Sequence, residues 1–148
     1  MDTPYSLNLE VHDTKDTKSE HVNGSLTVIW RDWDAILENN PKMIYVSSVN
    51  PGQLKGPHLH KKRTSYFTCI HGKVVFIIKE KSGKYLEIES SEENPVLVEI
   101  PKNYSSAHIN LSNEPSIILS VVNPSWKPDN RDEHNVTYDD YDWNKWKK

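Results

Sequence analysis

Two histidines one residue apart, His58 and His60, stand in the stretch GQLKGPHLHKKRTSYFTCIHG that runs from Gly52 to Gly72, just ahead of a β-prone run. The chain holds only seven histidines, so the pairing calls for a chemical reason. In an extended strand residues i and i+2 share a face, so both imidazoles project together while Leu59 points away. Two uses follow. Neutral ring nitrogens can ligate a transition metal, or one ring can move protons, since an unperturbed pKa of about 6.5 leaves it partly free base near neutrality.

Such a pair needs a scaffold. From Leu26 onward the chain returns to β-prone clusters, SLTVIW, MIYVSSV, SYFTCI, KVVFIIKE, KYLEIES, VLVEIP and SIILSVV, each about strand length and bounded by Gly, Pro, Asn or Ser. This rhythm predicts an all-β sandwich or small barrel. His71-Gly72 and Ser82-Gly83 read as tight hairpin turns between antiparallel neighbours. Only Arg31 to Asn40 and the tail Tyr138 to Lys148 have helical character. The polar stretch before Asn23 reads as a loop or an exposed edge. The 148 residues suit one domain, with a core over about 24–125 and a C-terminal extension over 126–148.

Composition narrows the function. Hydrophobic residues make up 35% and charged residues 26%, as in a folded globular chain, and the apolar runs are too short to cross a membrane. A net charge of −3 without a basic block leaves no footprint for nucleic acid. The opening MDTPYSLNLEVHD shows no secretory signal, and the single cysteine, Cys69, cannot form an internal disulfide, which together favour the cytoplasm. Cys69 reads as a small core residue. His12, His21, His71 and His134 read as surface residues, and Trp126, Trp143 and Trp146 as core or interface anchors. A small-molecule ligand is the expected partner.

Gly52, His58, His60 and Gly72 have the spacing of the first cupin motif, and His108 follows EIPKNYSSA where a later strand of that superfamily supplies a histidine. The chain thus resembles the cupins, which implies a double-stranded β-helix, the jelly roll. In metal-binding members a glutamate follows the second histidine; here its position falls on Thr64 or Ser65. A three-histidine metal site of His58, His60 and His108 is therefore the second choice, and the first expectation is no cofactor.

Two sugar-nucleotide families within that fold look similar. KGPH at Lys55 to His58, EIPKNYSSAH and the ending NPSWKPDNRDEHNVTYDDYDW resemble dTDP-4-dehydrorhamnose 3,5-epimerases. That match implies His58 as base, His108 as a pocket histidine, Asp140 or its neighbour Asp139 as the carboxylate orienting the base, and Lys55 as a contact to the nucleotide diphosphate, with Arg63 an alternative. NGSLTVIW, the tyrosine of MIYVSSV and GPHLHKKRTSYFTCIHG resemble dTDP-4-keto-6-deoxyglucose 3,4-ketoisomerases, which implies His58 and His60 as the active-site pair with Tyr45 facing them.

Both families act next to a ketone. A C4 ketone acidifies C3–H and C5–H, so a base, a donor to the enolate oxygen and a route for reprotonation suffice, and no metal or redox cofactor is required. The epimerases' lysine and tyrosine acid fall on Ser65 and Leu119, which opens the alternatives of one-carbon chemistry, 3,4-keto transfer or sugar binding without turnover; Tyr45 and Tyr104 are candidates for the missing hydroxyl. The resemblance implies a homodimer acting on a nucleotide-linked 4-keto-6-deoxyhexose, 3,5-epimerase-like with 3,4-ketoisomerisation as the nearer competitor, in bacterial or archaeal surface-glycan biosynthesis.

Overall fold

A computed structural model describes residues 3–33 and 40–147. The central part of the helix expected over Arg31 to Asn40 lies outside the described residues. The strands are β1 (Tyr5–Asn8), β2 (Glu10–Lys15), β3 (Val22–Val28), β4 (Met43–Val49), β5 (Leu54–Leu59), β6 (Thr64–His71), β7 (Lys73–Lys79), β8 (Tyr85–Ser91), β9 (Val96–Ile100), β10 (Ser105–Asn110), β11 (Ser116–Asn123) and β12 (His134–Asn135). Two five-stranded sheets, ordered β1-β9-β6-β11-β4 and β12-β5-β10-β7-β8, and a separate β2-β3 ribbon make up the fold. All pairings between these strands are antiparallel. This is the all-β jelly roll expected.

The hydrophobic pattern shows why the sheets stack. In β7 the run Val74 to Ile78 is fully buried, so both faces of this strand are covered. Val74, Phe76 and Ile78 pack between the sheets with Val96, Val98, Ile100 and Ile118. Val75 and Ile77 face the other way, and with Ala107 and Ile109 they are covered by Tyr138, Tyr141, Trp143 and Trp146 of the C-terminal extension. Each buried aliphatic or aromatic side chain contributes about 1.5–3 kcal/mol. The extension is therefore a structural layer, and among its described residues the one helical turn is a 3-10 turn, Trp143–Trp146, shorter than the helix expected.

The Ser82-Gly83 turn joins β7 to β8 as a hairpin. The His71-Gly72 turn does not make a hairpin: β6 lies in the first sheet and β7 in the second, so the chain changes layers there. Gly72 sits at φ +81, and a Cβ there would collide with the Ser116 side chain, so any other residue at this corner is strained. Before Asn23, β1 forms the outer edge of the first sheet beside β9, and β2 pairs with β3 as an exposed ribbon, an edge more than a loop.

Candidate active site

A cavity of about 400 Å³ lies between the sheets, lined by Tyr45, Ser47, Lys55, Gly56, His58, His60, Arg63, Ser65, Phe67, Ile100, Ser106, His108 and Glu133. A larger one, of about 590 Å³, lies between the C-terminal tryptophans and residues such as Leu54, Ile109 and Leu111; among the described residues Lys147 is its one charged lining group. Three of the seven histidines, with Lys55, Arg63 and Glu133, line the first cavity, which makes it the candidate site.

A bulge gathers the cationic wall. Ser106 pairs with His58 and His108 with Lys55, so β5 spends three residues where β10 spends two. Residues 55 and 58 would point to opposite faces of a regular strand; the extra residue turns Lys55, His58 and His60 into the same cavity. Gly56, at φ +88, sits in this irregular step, and a Cβ there would lie 2.8 Å from the Ser106 carbonyl oxygen. The second sheet thus supplies Lys55, His58, His60, Ser106 and His108, while Tyr45, Ser47, Ser65 and Phe67 come from the first.

The imidazoles differ in environment. Burial first, then the charges of Lys55 and His58, push His108 down to about 4, so it is neutral at physiological pH. Its ring sits 5.5 Å from that of Phe76, and its buried Nε2 has no hydrogen-bond partner among the described residues. His60 is also lowered, by burial and then by Arg63, against the opposing pull of Asp132 and Glu133. The His58 Nδ1 lies 3.1 Å from the side-chain oxygen of Asn135. Arg63 is buried, and its Nε has no hydrogen-bond partner among the described residues.

The C-terminal extension closes one side. Asn135 is the register partner of His58, and Val136 N–H donates to the Pro57 carbonyl. The Asp132 carboxylate accepts from the backbone N–H groups of Lys61, Lys62 and Arg63 at 3.0, 2.8 and 3.1 Å. Burial alone would raise the Asp132 carboxyl, yet these three donors outweigh it and lower it. The loop after His60 is held in place by this one side chain.

Three expectations are corrected. Asp140 does not orient His58: it accepts a short hydrogen bond from the Tyr85 hydroxyl, and neighbouring Tyr138 and Tyr141 pack over the outer face of the second sheet. Asp139 accepts from Thr137. Tyr104 is not in the cavity lining but in the core between the sheets, with Lys81 Nζ 5.5 Å from its ring. Leu119 packs on the outer face against Tyr66, Leu97 and Val121; the adjacent Ser120, paired with Tyr45 and Phe67, is the β11 residue turned inward.

The three-histidine metal arrangement is not assembled. Among the described residues, the group of three His, Cys, Asp or Glu ligand atoms within 4.8 Å of one another is His71, Glu92 and Glu114, at the far end of β6 from Ser65. There the His71 ring is flanked by both carboxylates, at 3.5 and 3.0 Å. Sequence reasoning missed Asn135, Asp132, Glu133, Ser47, Phe67 and Ser106. For Asp132, Glu133 and Asn135 the signal was the polar run NRDEHN, whose pairing with β5 is a tertiary fact; Ser47, Phe67 and Ser106 stand within β-prone stretches whose inward face only the strand pairing decides.

The fold and site define a cupin of the kind found in sugar-nucleotide epimerases and isomerases. The chain matches the family described as FdtA: WxcM-like, C-terminal, over residues 7–142, and it belongs to that family. It is 29% identical over 131 residues, 82% of this chain and 86% of the relative, to the spore coat polysaccharide biosynthesis protein SpsL of Bacillus subtilis. It is 27% identical over 153 residues, 95% of this chain and 96% of the relative, to a probable low-salt glycan biosynthesis epimerase, Agl13, of Haloferax volcanii. Among solved structures, the dTDP-4-dehydrorhamnose 3,5-epimerase of Elizabethkingia anophelis superposes with a TM-score of 0.71 at 17% identity, covering 91% of this chain and 75% of that one. QdtA, a sugar 3,4-ketoisomerase from Thermoanaerobacterium thermosaccharolyticum in complex with TDP, gives 0.67 at 18% identity, covering 88% and 86%. The capsular polysaccharide assembling protein CapF of Staphylococcus aureus is longer: the match covers 67% of this chain and 27% of CapF, at 23% identity and a TM-score of 0.62.

Proposed function

We propose that this protein isomerises a nucleotide-linked 4-keto-6-deoxyhexose by abstracting a proton beside the ketone, with His58 as the base. The observation that carries this reading is the convergence of His58, His60 and neutral His108 with Tyr45 on one cavity. Lys55 and Arg63 supply cationic groups for the diphosphate, Lys55 as a point charge and Arg63 as a fork. Ser65 and Ser106 are hydroxyl donors for the sugar.

Two finer outcomes share that first step. In 3,4-keto transfer, His58 takes the C3 proton while O4 gains one, giving the enediol; the O3 hydroxyl then loses its proton as C4 gains one, leaving a hydroxyl at C4 and the ketone at C3. Two imidazoles on one wall, His58 and His60, favour this, because one can deliver what the other removes. Epimerisation needs reprotonation from the opposite face, and Tyr45, on the other sheet, is the group that favours it. The amide of Asn135 at His58 Nδ1, where the epimerase resemblance implies a carboxylate, and the outward Leu119 weigh against full 3,5-epimerisation.

The test is proton NMR with dTDP-4-keto-6-deoxyglucose in D2O, wild type against His58→Ala. Deuterium at C4 with a 3-keto product supports keto transfer; deuterium at C3 or C5 with the ketone kept at C4 supports epimerisation. The variant should lose about 10²–10⁴-fold in rate. Exchange undiminished in His58→Ala, or none in wild type, overturns the reading.

We also infer a homodimer. The β2-β3 ribbon is exposed along its length, with Val11, Val22 and Leu26 uncovered, and β4 is an open sheet edge showing Ile44 and Val46. An isolated two-stranded ribbon is marginal alone. Light scattering giving the mass of a single chain refutes this. We place the activity in the cytoplasm on the strength of the single buried thiol, Cys69.

A further inference from the structure

The residue that sets the chemical form of the proposed base is a neutral one in the C-terminal extension. We propose that Asn135 is a positioning residue: its side-chain oxygen accepts the Nδ1–H of His58 and so leaves Nε2 bare, as the basic nitrogen offered to the cavity. The inference rests on His58 being the base.

The geometry is specific. Asn135 and His58 are direct register partners in the β12–β5 pair, and side chains directly opposite each other lie on the same face of a sheet, within contact. The amide oxygen stands 3.1 Å from Nδ1. A neutral imidazole carries one N–H, and the nitrogen that donates is decided by the partner it meets; an acceptor at Nδ1 puts the proton there. The extension has little freedom to shift, because Val136 N–H is bonded to the Pro57 carbonyl on one side and Asp132 holds three backbone N–H groups on the other.

The strap also carries carboxylates, and neither takes this position. Asp132 is committed to the backbone of residues 61–63, and Glu133 lines the cavity on its own account. Asp139 and Asp140, the carboxylates that the sequence pattern offered, bond to Thr137 and Tyr85. An amide therefore stands where a carboxylate would otherwise be needed. It fixes the tautomer as a carboxylate would, but it adds no negative charge to hold an imidazolium beside Lys55.

The test is long-range ¹H–¹⁵N correlation on histidine-labelled protein at pH 8, with the His58 signals identified by their loss in His58→Gln. Wild type should show His58 with Nδ1 protonated and Nε2 bare. Asn135→Ala should move it toward the Nε2–H form that free imidazole side chains prefer, and Asn135→Asp, which keeps an acceptor, should restore Nδ1–H. The other histidine signals report whether each variant is folded. Turnover should follow the tautomer, falling on the order of 10- to 100-fold in Asn135→Ala, within what a general base supplies, and recovering at least in part in Asn135→Asp. An Nε2–H His58 in active wild type, or a tautomer unmoved by Asn135→Ala, overturns this inference alone. The predicted tautomers in a protein without turnover on any 4-keto sugar nucleotide would overturn the base assignment and leave the Asn135 contact standing.

Discussion

His108 should make this protein sensitive to mild acid. In the folded chain its proton affinity lies near pH 4, against about 6.5 for an exposed histidine. The unfolded chain therefore binds a proton that the folded chain refuses, and stability falls as pH drops from above 6.5 toward 4. The full displacement, about 2.5 units, corresponds to a ceiling of about 3 kcal/mol; at pH 5 about 2 kcal/mol of it is already lost. The physical cause is on the page: a ring whose Nε2 is sealed from water without an acceptor and whose neighbours include Lys55 and His58. His60, lowered in the same direction, adds to the trend. Urea unfolding of wild type and His108→Gln at pH 7 and pH 5 isolates the effect, because every other titrating group is common to both. The wild type should lose about 2 kcal/mol more than the variant over that interval. Equal losses in the two proteins would mean that His108 is not held neutral, and would remove the argument that it serves as a neutral hydrogen-bonding group in the cavity.

Four further substitutions separate site from scaffold. Asp140→Asn should leave kcat unchanged in the D2O assay, since this carboxylate meets Tyr85 and not His58; a hundredfold loss would restore it to the catalytic machinery. Asp132→Ala should cost about 1–3 kcal/mol in urea unfolding and speed amide exchange at residues 61–63, whose N–H groups lose their acceptor; unchanged exchange there would contradict the clamp. Gly83→Ala meets open space at φ +90 and should cost about 1–2 kcal/mol for the backbone alone. Gly72→Ala should cost at least ~1 kcal/mol more, because its Cβ displaces the Ser116 hydroxyl from Asn110; equal losses would show that the corner relaxes.

Strand positions were legible because burial leaves a local imprint: the run Val74 to Ile78 is apolar at every residue, and turn residues bracket each cluster. The same-face placement of His58 and His60 was legible for a similar reason, since the period of a strand is two. Local pattern misled where partners are distant. His71-Gly72 has hairpin composition, yet its flanking strands join different sheets, a choice made by which faces pack together. Leu119 and Ser120 alternate in the chain, and only the pairing of β11 with β4 and β6 shows which one turns inward.

The resemblance put the carboxylate partner of His58 near the end of the chain, and the end of the chain does supply the partner, but five residues earlier and as an amide. That difference could not be read from the run of polar residues at 129–135, because a hydrogen bond across 77 positions is decided by strand register. What the sequence determined by itself is seven of the twelve described strands, the glycine breaks at Gly72 and Gly83 and the pair of imidazoles, all of which depend on neighbours a few residues apart. What only the tertiary structure decided is the company those imidazoles keep: the β5 bulge that adds Lys55 to their wall, the layer change that brings Tyr45 opposite, and the C-terminal strand that sets Asn135 against His58. Each depends on contacts whose free energy exists only once remote segments pack.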